Sequence, residues 1–97
     1  MGLPSSVKVL GATYTVHQQP ANTDESNVSG LFDYNRRTIY VDGTLSAEVQ
    51  TEVFYHELIH ALLAHTGLEE LLDDKTQEAL CTGLGTGLAR FAEENRE

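Results

Sequence analysis

In the first part of the chain, apolar and polar residues alternate over short stretches, a pattern typical of half-buried β-strands. Residues 7–10 and 13–17 alternate around a Gly-Ala pair and predict two antiparallel strands joined by a two-residue turn. Residues 31–34 and 38–41 lie on either side of the polar residues Asn35 and Arg36 and predict a second hairpin. Between the hairpins, residues 18–30 are rich in Asn, Ser and Asp and predict a loop that is either mobile or part of a binding rim.

The middle of the chain changes to the periodicity of a helix. Residues 46–65 are apolar over more than half of the predicted helix circumference, so this helix is expected to lie between two layers, the sheet and a second helix. Its ends carry recognisable signals. Ser46 suits the N-cap, Glu48 falls in the first turn, and Gly67 follows the last turn.

The last part of the chain, residues 76–94, predicts the second helix. One side of it is apolar and is expected to face the first helix, through Leu80, Leu84, Leu88 and Phe91. Three glycines interrupt this segment, each about 1 kcal/mol less favourable than Ala in a helix interior. Gly85 lies beside the apolar stripe, where a small residue lets two helices approach closely, whereas Gly83 and Gly87 leave a break in the helix as an alternative.

Together these elements predict an α+β fold. We expect a small antiparallel sheet of about four strands, packed on the first helix and followed by a second, C-terminal helix. A chain of 97 residues suits one domain over residues 1–97.

Composition narrows the possible functions. Fifteen acidic residues against six basic ones give a net charge of −9, which argues against nucleic-acid binding because phosphate contacts come mainly from Lys and Arg. The single cysteine, Cys81, excludes an internal disulfide and suits a reducing compartment. The sequence shows neither a signal-peptide pattern nor an apolar run of membrane length, so we expect a cytoplasmic protein without a membrane partner.

Chemistry is concentrated in the stretch His56-Glu57-Leu58-Ile59-His60, within the first predicted helix. Residues four apart share a helix face, so His56 and His60 point the same way and can hold a divalent metal, usually zinc. Glu57 lies about 100° around the helix and can reach a metal-bound water without being a ligand. The stretch therefore predicts a metal site in which Glu57 is the catalytic residue. The alternative is two histidines without a metal in a structural helix.

A third protein ligand is required, because even open zinc sites use three. His65 lies nine positions after His56, about half a turn around the helix, and is better interpreted as a polar residue near a helix C-terminus. Glu78 lies inside the second helix at the margin of the apolar stripe, where a carboxylate needs a partner. We expect Glu78 to be the third ligand, although it could instead be a first-turn acid facing the helix dipole. The other candidate ligands are Asp73, Asp74 and Glu70.

In the order and spacing of these features, the chain resembles the ImmA/IrrE-like zinc metallopeptidases and the small single-domain gluzincins, also called minigluzincins. The similarity extends from Val7 to Arg90, but only the five-residue motif is specific. It implies that His56 and His60 bind Zn²⁺, that Glu57 is the general base, and that Glu78 is the downstream glutamate ligand. Small members of the group occur in phages and other mobile elements.

The resemblance implies a zinc-dependent metallopeptidase that hydrolyses a peptide bond in a narrow protein substrate. The alternative is a catalytically weak or inactive metal-binding interaction module, such as a phage or accessory factor, and a further one is zinc as a structural brace. In the enzyme, the substrate is expected to lie along an exposed strand at residues 38–41. The candidates for stabilising the oxyanion are Tyr55, His17 and Tyr34.

Overall fold

The computed structural model describes the backbone of residues 2–19 and 28–96. Four strands form one mixed sheet in the order β1-β2-β4-β3: β1 (Ser6–Val9), β2 (Ala12–Gln19), β3 (Gly30–Asp33) and β4 (Thr38–Asp42). Two helices follow, α1 (Ala47–Thr66) and α2 (Asp74–Glu94), with a short 3₁₀ helix at Leu68–Leu71 between them. The predicted α+β class is confirmed. Most of the predicted loop, residues 20–27, lies outside the described residues.

The sheet differs from the predicted antiparallel arrangement at one pairing. Both hairpins are antiparallel, but β2 and β4 run parallel, with Thr15 opposite Thr38 and His17 opposite Tyr40. Since β3 pairs with the far side of β4, β4 lies inside the sheet and buries Ile39 and Val41. The expectation that residues 38–41 form an exposed strand for substrate is therefore wrong. Of the four described strands, β1 and β3 are at the edges.

The turn between β1 and β2 lies one residue earlier than predicted. Val9 pairs with Ala12, so the two central residues are Leu10 and Gly11, with φ angles of 49° and 90°. Positive φ at both central positions is the geometry of a type I′ turn, which favours Asn followed by Gly. Leu10 is therefore a non-glycine residue in a backbone region that branched side chains disfavour.

Replacing Leu10 with Asn is expected to raise the free energy of unfolding by about 0.5–1 kcal/mol, because Asn tolerates the left-handed region far better than Leu. Little packing is lost, since Leu10 is 65% exposed. Urea denaturation measures the effect, and the same replacement at the exposed Leu71 should not stabilise the chain. A Leu10→Asn chain no more stable than wild type would contradict the assigned turn.

Helix α1 has the predicted ends and position. The Ser46 hydroxyl accepts a hydrogen bond from the Val49 N–H, and Gly67, with φ of 80°, terminates the helix by donating its N–H to the Ala64 carbonyl. The helix packs against the sheet on one side, where Phe54 joins the core around Tyr14, and against α2 on the other. It therefore has a layer on each side, as expected for a helix that is apolar around most of its circumference.

Helix α2 is continuous through its three glycines, so the alternative of a break is excluded. It begins at Asp74, two residues before the predicted start, because the Asp73 carboxylate caps it by accepting the Thr76 N–H at 2.7 Å. The face that packs on α1 consists of small residues: Cys81, Gly85 and Ala89. The predicted apolar stripe is largely exposed instead. Within the described part of the chain, no helix has both the length and the apolarity needed to cross a membrane.

Candidate metal centre

Three donor side chains from the two helices meet on one side of the α1–α2 contact. The His56 Nε2 lies 2.9 Å from one Glu78 carboxylate oxygen, and the His60 Nε2 lies 3.2 Å from the other. The two imidazole rings are 5.1 Å apart between centroids. One donor atom from each residue falls within 4.8 Å of the others. The structure thus brings together the three residues predicted as metal ligands.

The chemistry and spacing of this set fit a divalent metal such as Zn²⁺. Ligand bonds to zinc are about 2.0–2.1 Å long, which places neighbouring ligand atoms of a tetrahedral ion about 3.4 Å apart. One donor atom from each of the three residues lies within 4.8 Å of the other two, so each pair of donor atoms needs to approach by at most about 1.4 Å to reach this spacing. Two imidazoles and one carboxylate also form the donor set of open, three-ligand zinc sites. Such a set leaves a coordination position for water or substrate.

The local sequence explains why the donors converge. His56 and His60 are one turn apart on α1. On α2, Glu78 precedes Gly85 by seven residues, or two turns, and therefore shares its face. Gly85 lies directly against α1, since a Cβ built there would be 2.8 Å from both the N and the Cα of His56. The absence of a side chain at Gly85 is what lets α2 approach close enough for Glu78 to reach both histidines.

Two further residues of α2 lie beside the ring nitrogens Nδ1, one at His60 and one at His56. The Gln77 amide lies 3.2 Å from the His60 Nδ1, and the Thr82 hydroxyl makes a longer contact of 3.5 Å with the His56 Nδ1. Partners at this position fix the ring orientation of metal-binding histidines. The sequence interpretation missed both. The available signal was their position, since Gln77 adjoins Glu78 and Thr82 follows it by one turn.

Glu57 is placed as the sequence predicted, beside the donors but not among them. It is 8% exposed, and its burial, together with the nearby Glu78 carboxylate, raises the pKa of Glu57 to about 7. A bound dication would lower this pKa again. Burial and the neighbouring His56 lower the pKa of His60, against the opposing effect of Glu78.

A cleft of about 380 Å³ opens next to His56, Glu57 and Glu78. Its walls come from three parts of the chain. Helix α1 contributes Val49, Glu52 and Val53, helix α2 contributes Thr82 and Thr86, and the strand side contributes Val28 to Gly30. Gly30 packs tightly here, because a Cβ at this position would be 2.5 Å from the Val53 side chain and 3.2 Å from the Glu57 Cγ. The start of edge strand β3 thus borders the candidate metal centre.

The remaining candidates lie elsewhere. The Tyr14 hydroxyl is 2.7 Å from the His65 Nε2, which gives this histidine a structural partner between the sheet and α1. Asp73 caps α2, and Asp74 and Glu70 are exposed residues outside the donor group. None of the three proposed oxyanion residues lines the cleft. Tyr34 packs on His65, His17 stacks on Tyr40, and Tyr55 borders a separate groove of about 610 Å³.

Comparison with protein-family models, with curated proteins and with solved structures finds no match to this chain.

Proposed function

We propose that this chain is a zinc-dependent metallopeptidase that cleaves a peptide bond in a narrow protein substrate. The observation that carries the proposal is the meeting of His56, His60 and Glu78 beside a buried Glu57. A structural zinc site has no use for that additional carboxylate, because structural sites are closed by four protein ligands. The resemblance of the sequence to the ImmA/IrrE-like peptidases and small gluzincins supports the same function, and with it a phage or other mobile-element origin and a cytoplasmic location.

In this function the side chains have distinct roles. His56, His60 and Glu78 would hold the Zn²⁺, and Gln77 and Thr82 would orient the two imidazoles. When bound, the metal supplies Lewis acidity toward the scissile carbonyl and an acidified water. Glu57 accepts the proton of the attacking water and returns a proton to the leaving amine, the usual work of a general base and acid. Its burial keeps this carboxylate away from bulk solvent.

The sheet supplies a place for the substrate backbone. Among the described strands, β3 is at the edge of the sheet, and its first residue, Gly30, lines the cleft together with His56 and Glu78. An extended peptide can add to such an edge through main-chain hydrogen bonds, with its side chains pointing alternately toward and away from the cleft. We therefore assign to β3 the substrate-binding role that the sequence suggested for residues 38–41.

A cleavage assay tests the proposed function. The zinc-loaded chain is incubated with an unstructured protein such as casein, and the products are compared with those of a chelator-treated sample. We expect discrete cleavage products that appear only with the metal and that return when zinc is restored. Absence of cleavage by a chain that is folded and carries about one zinc per chain would favour the alternative function, a metal-binding interaction module.

A further inference from the structure

The outer face of α2 carries large apolar side chains that the fold leaves exposed. Leu80, Leu84, Leu88 and Phe91 are 37%, 51%, 38% and 62% exposed. Their spacing of four, four and three residues aligns them in one stripe along the helix. We call these four residues the outer stripe. A contiguous exposed apolar surface of this kind is typical of a binding site for another protein.

Two glycines border the outer stripe and have no role inside the described fold. A Cβ built at Gly83 or Gly87 meets nothing within 4 Å, although glycine weakens a helix interior. Gly85 differs from both, because its close contact with His56 requires the absence of a side chain. Small residues beside an apolar stripe allow a second helix to approach the backbone closely. The glycines and the outer stripe therefore suit the same kind of partner, a packed helix.

The charges near the outer stripe indicate what kind of partner it would bind. Lys75 and Arg90 lie about 120–180° from Leu84 around the helix, and Arg90 pairs with Glu48 and Glu52 of the same chain. Beyond the two ends of the outer stripe the helix carries acidic residues: Asp73, which caps its N-terminus, and Glu94, about 80° from Leu84 around the helix. A second copy packed antiparallel would place the acidic end of one α2 beside the acidic end of the other. The two chains, each with a net charge of −9, would also repel one another. A basic partner is favoured instead.

We propose that the outer stripe, with Gly83 and Gly87, docks an amphipathic helix of a partner protein whose polar flanks are rich in Lys and Arg. The apolar side of that helix covers the leucines and Phe91, and its basic flanks lie near the acidic ends of α2. The outer stripe contains no metal ligand, because Glu78 lies about 120° from Leu84 around the helix. The proposal is independent of whether the chain is a peptidase.

The binding experiment uses a synthetic helical peptide of about 18 residues, long enough to span five turns, with Leu on one face and Lys on the other. Fluorescence anisotropy is measured in buffer of about 0.15 M ionic strength. We expect saturable binding to the wild-type chain. Leu84→Gln and Phe91→Gln should each weaken it by about tenfold or more, as expected for apolar anchors in the centre of a contact. A peptide with Glu in place of Lys should bind at least about tenfold more weakly because of charge repulsion.

Two controls separate this surface from general attraction between an acidic protein and a basic peptide. Leu10→Gln removes a leucine on the hairpin turn that is more exposed than Leu84 and should leave the affinity unchanged. Gly87→Ala should weaken peptide binding by about threefold or more, by holding the partner backbone away, while circular dichroism shows the same or higher helix stability. Equal peptide affinities for wild type and both Gln variants would overturn the proposal. So would sedimentation showing a dimer that Leu84→Gln dissociates, since the occupant would then be a second copy.

Discussion

Glu57→Gln is expected to lower peptide-bond cleavage by about 10²–10⁴-fold, the usual contribution of a general base, while the chain keeps its zinc. Glu57 adjoins the donors but is not one of them, so its amide form removes a proton acceptor and no ligand. For Glu78→Gln we expect the loss of zinc to be the primary effect and the loss of activity to follow from it. The substitution should weaken zinc binding by more than about 100-fold, because losing even an outer-shell partner lowers metal affinity by about 10–100-fold, and activity should fall only as a consequence of metal loss.

Chelator competition measures zinc affinity for both variants, and cleavage is then measured at saturating zinc. His65→Ala and Glu70→Gln are matched controls, since neither residue belongs to the donor group, and both should bind zinc as wild type does. Equal zinc affinities for wild type and Glu78→Gln would remove Glu78 from the site. A Glu57→Gln chain that cleaves at the wild-type rate would show that the buried carboxylate is not the base.

Gly85→Ala is expected to lower the free energy of unfolding by about 1–3 kcal/mol, even though Ala is the better helix former by about 1 kcal/mol. The new methyl group would lie 2.8 Å from backbone atoms of His56, which cannot move aside as a flexible side chain can. The two helices must separate, and Glu78 then moves away from both histidines. Zinc affinity should therefore fall together with stability.

The same substitution elsewhere on α2 supplies the control. Gly83→Ala and Gly87→Ala place a methyl group in open space and should each stabilise the chain by about 1 kcal/mol through helix propensity alone. Urea denaturation of the metal-free chains compares the three variants. If Gly85→Ala stabilised the chain as much as Gly83→Ala and Gly87→Ala do, α1 and α2 could not be in close contact at Gly85.

Helix α1, which carries His56 and His60, could be predicted from sequence because its signals are local. Ser46, Gly67 and the spacing of His56 and His60 act within one segment of chain, and the structure confirms the ends of that helix. The role of Glu78 as a candidate ligand could also be predicted from sequence, because a carboxylate at the margin of a helix interface is costly without a partner. The oxyanion candidates had no such local signal, and the structure places none of them at the cleft.

Long-range pairing and helix orientation could not be predicted in the same way. The parallel register of Thr15 with Thr38 joins strands from two different hairpins, and neither hairpin pattern encodes the partner of its outer edge. On α2, the rule that large apolar residues face the core predicted the wrong face. Instead, the small residues Cys81, Gly85 and Ala89 pack closely against α1. The large side chains of the outer stripe therefore remain on the solvent side of α2.

The attachment of α2 has a consequence for local unfolding. Among the described elements, α2 packs extensively against α1 alone, and its contact face contains only small buried side chains. Because α2 is attached to only one of the described elements, we expect it to open at a lower free energy than the sheet and α1, which share the larger core around Tyr14. A metal ion held by both helices would bind only the closed form, adding about 4 kcal/mol at a free concentration 1,000 times its dissociation constant. The ion would thereby act as a cross-link that decides whether α2 opens as an independent unit or only with the whole domain.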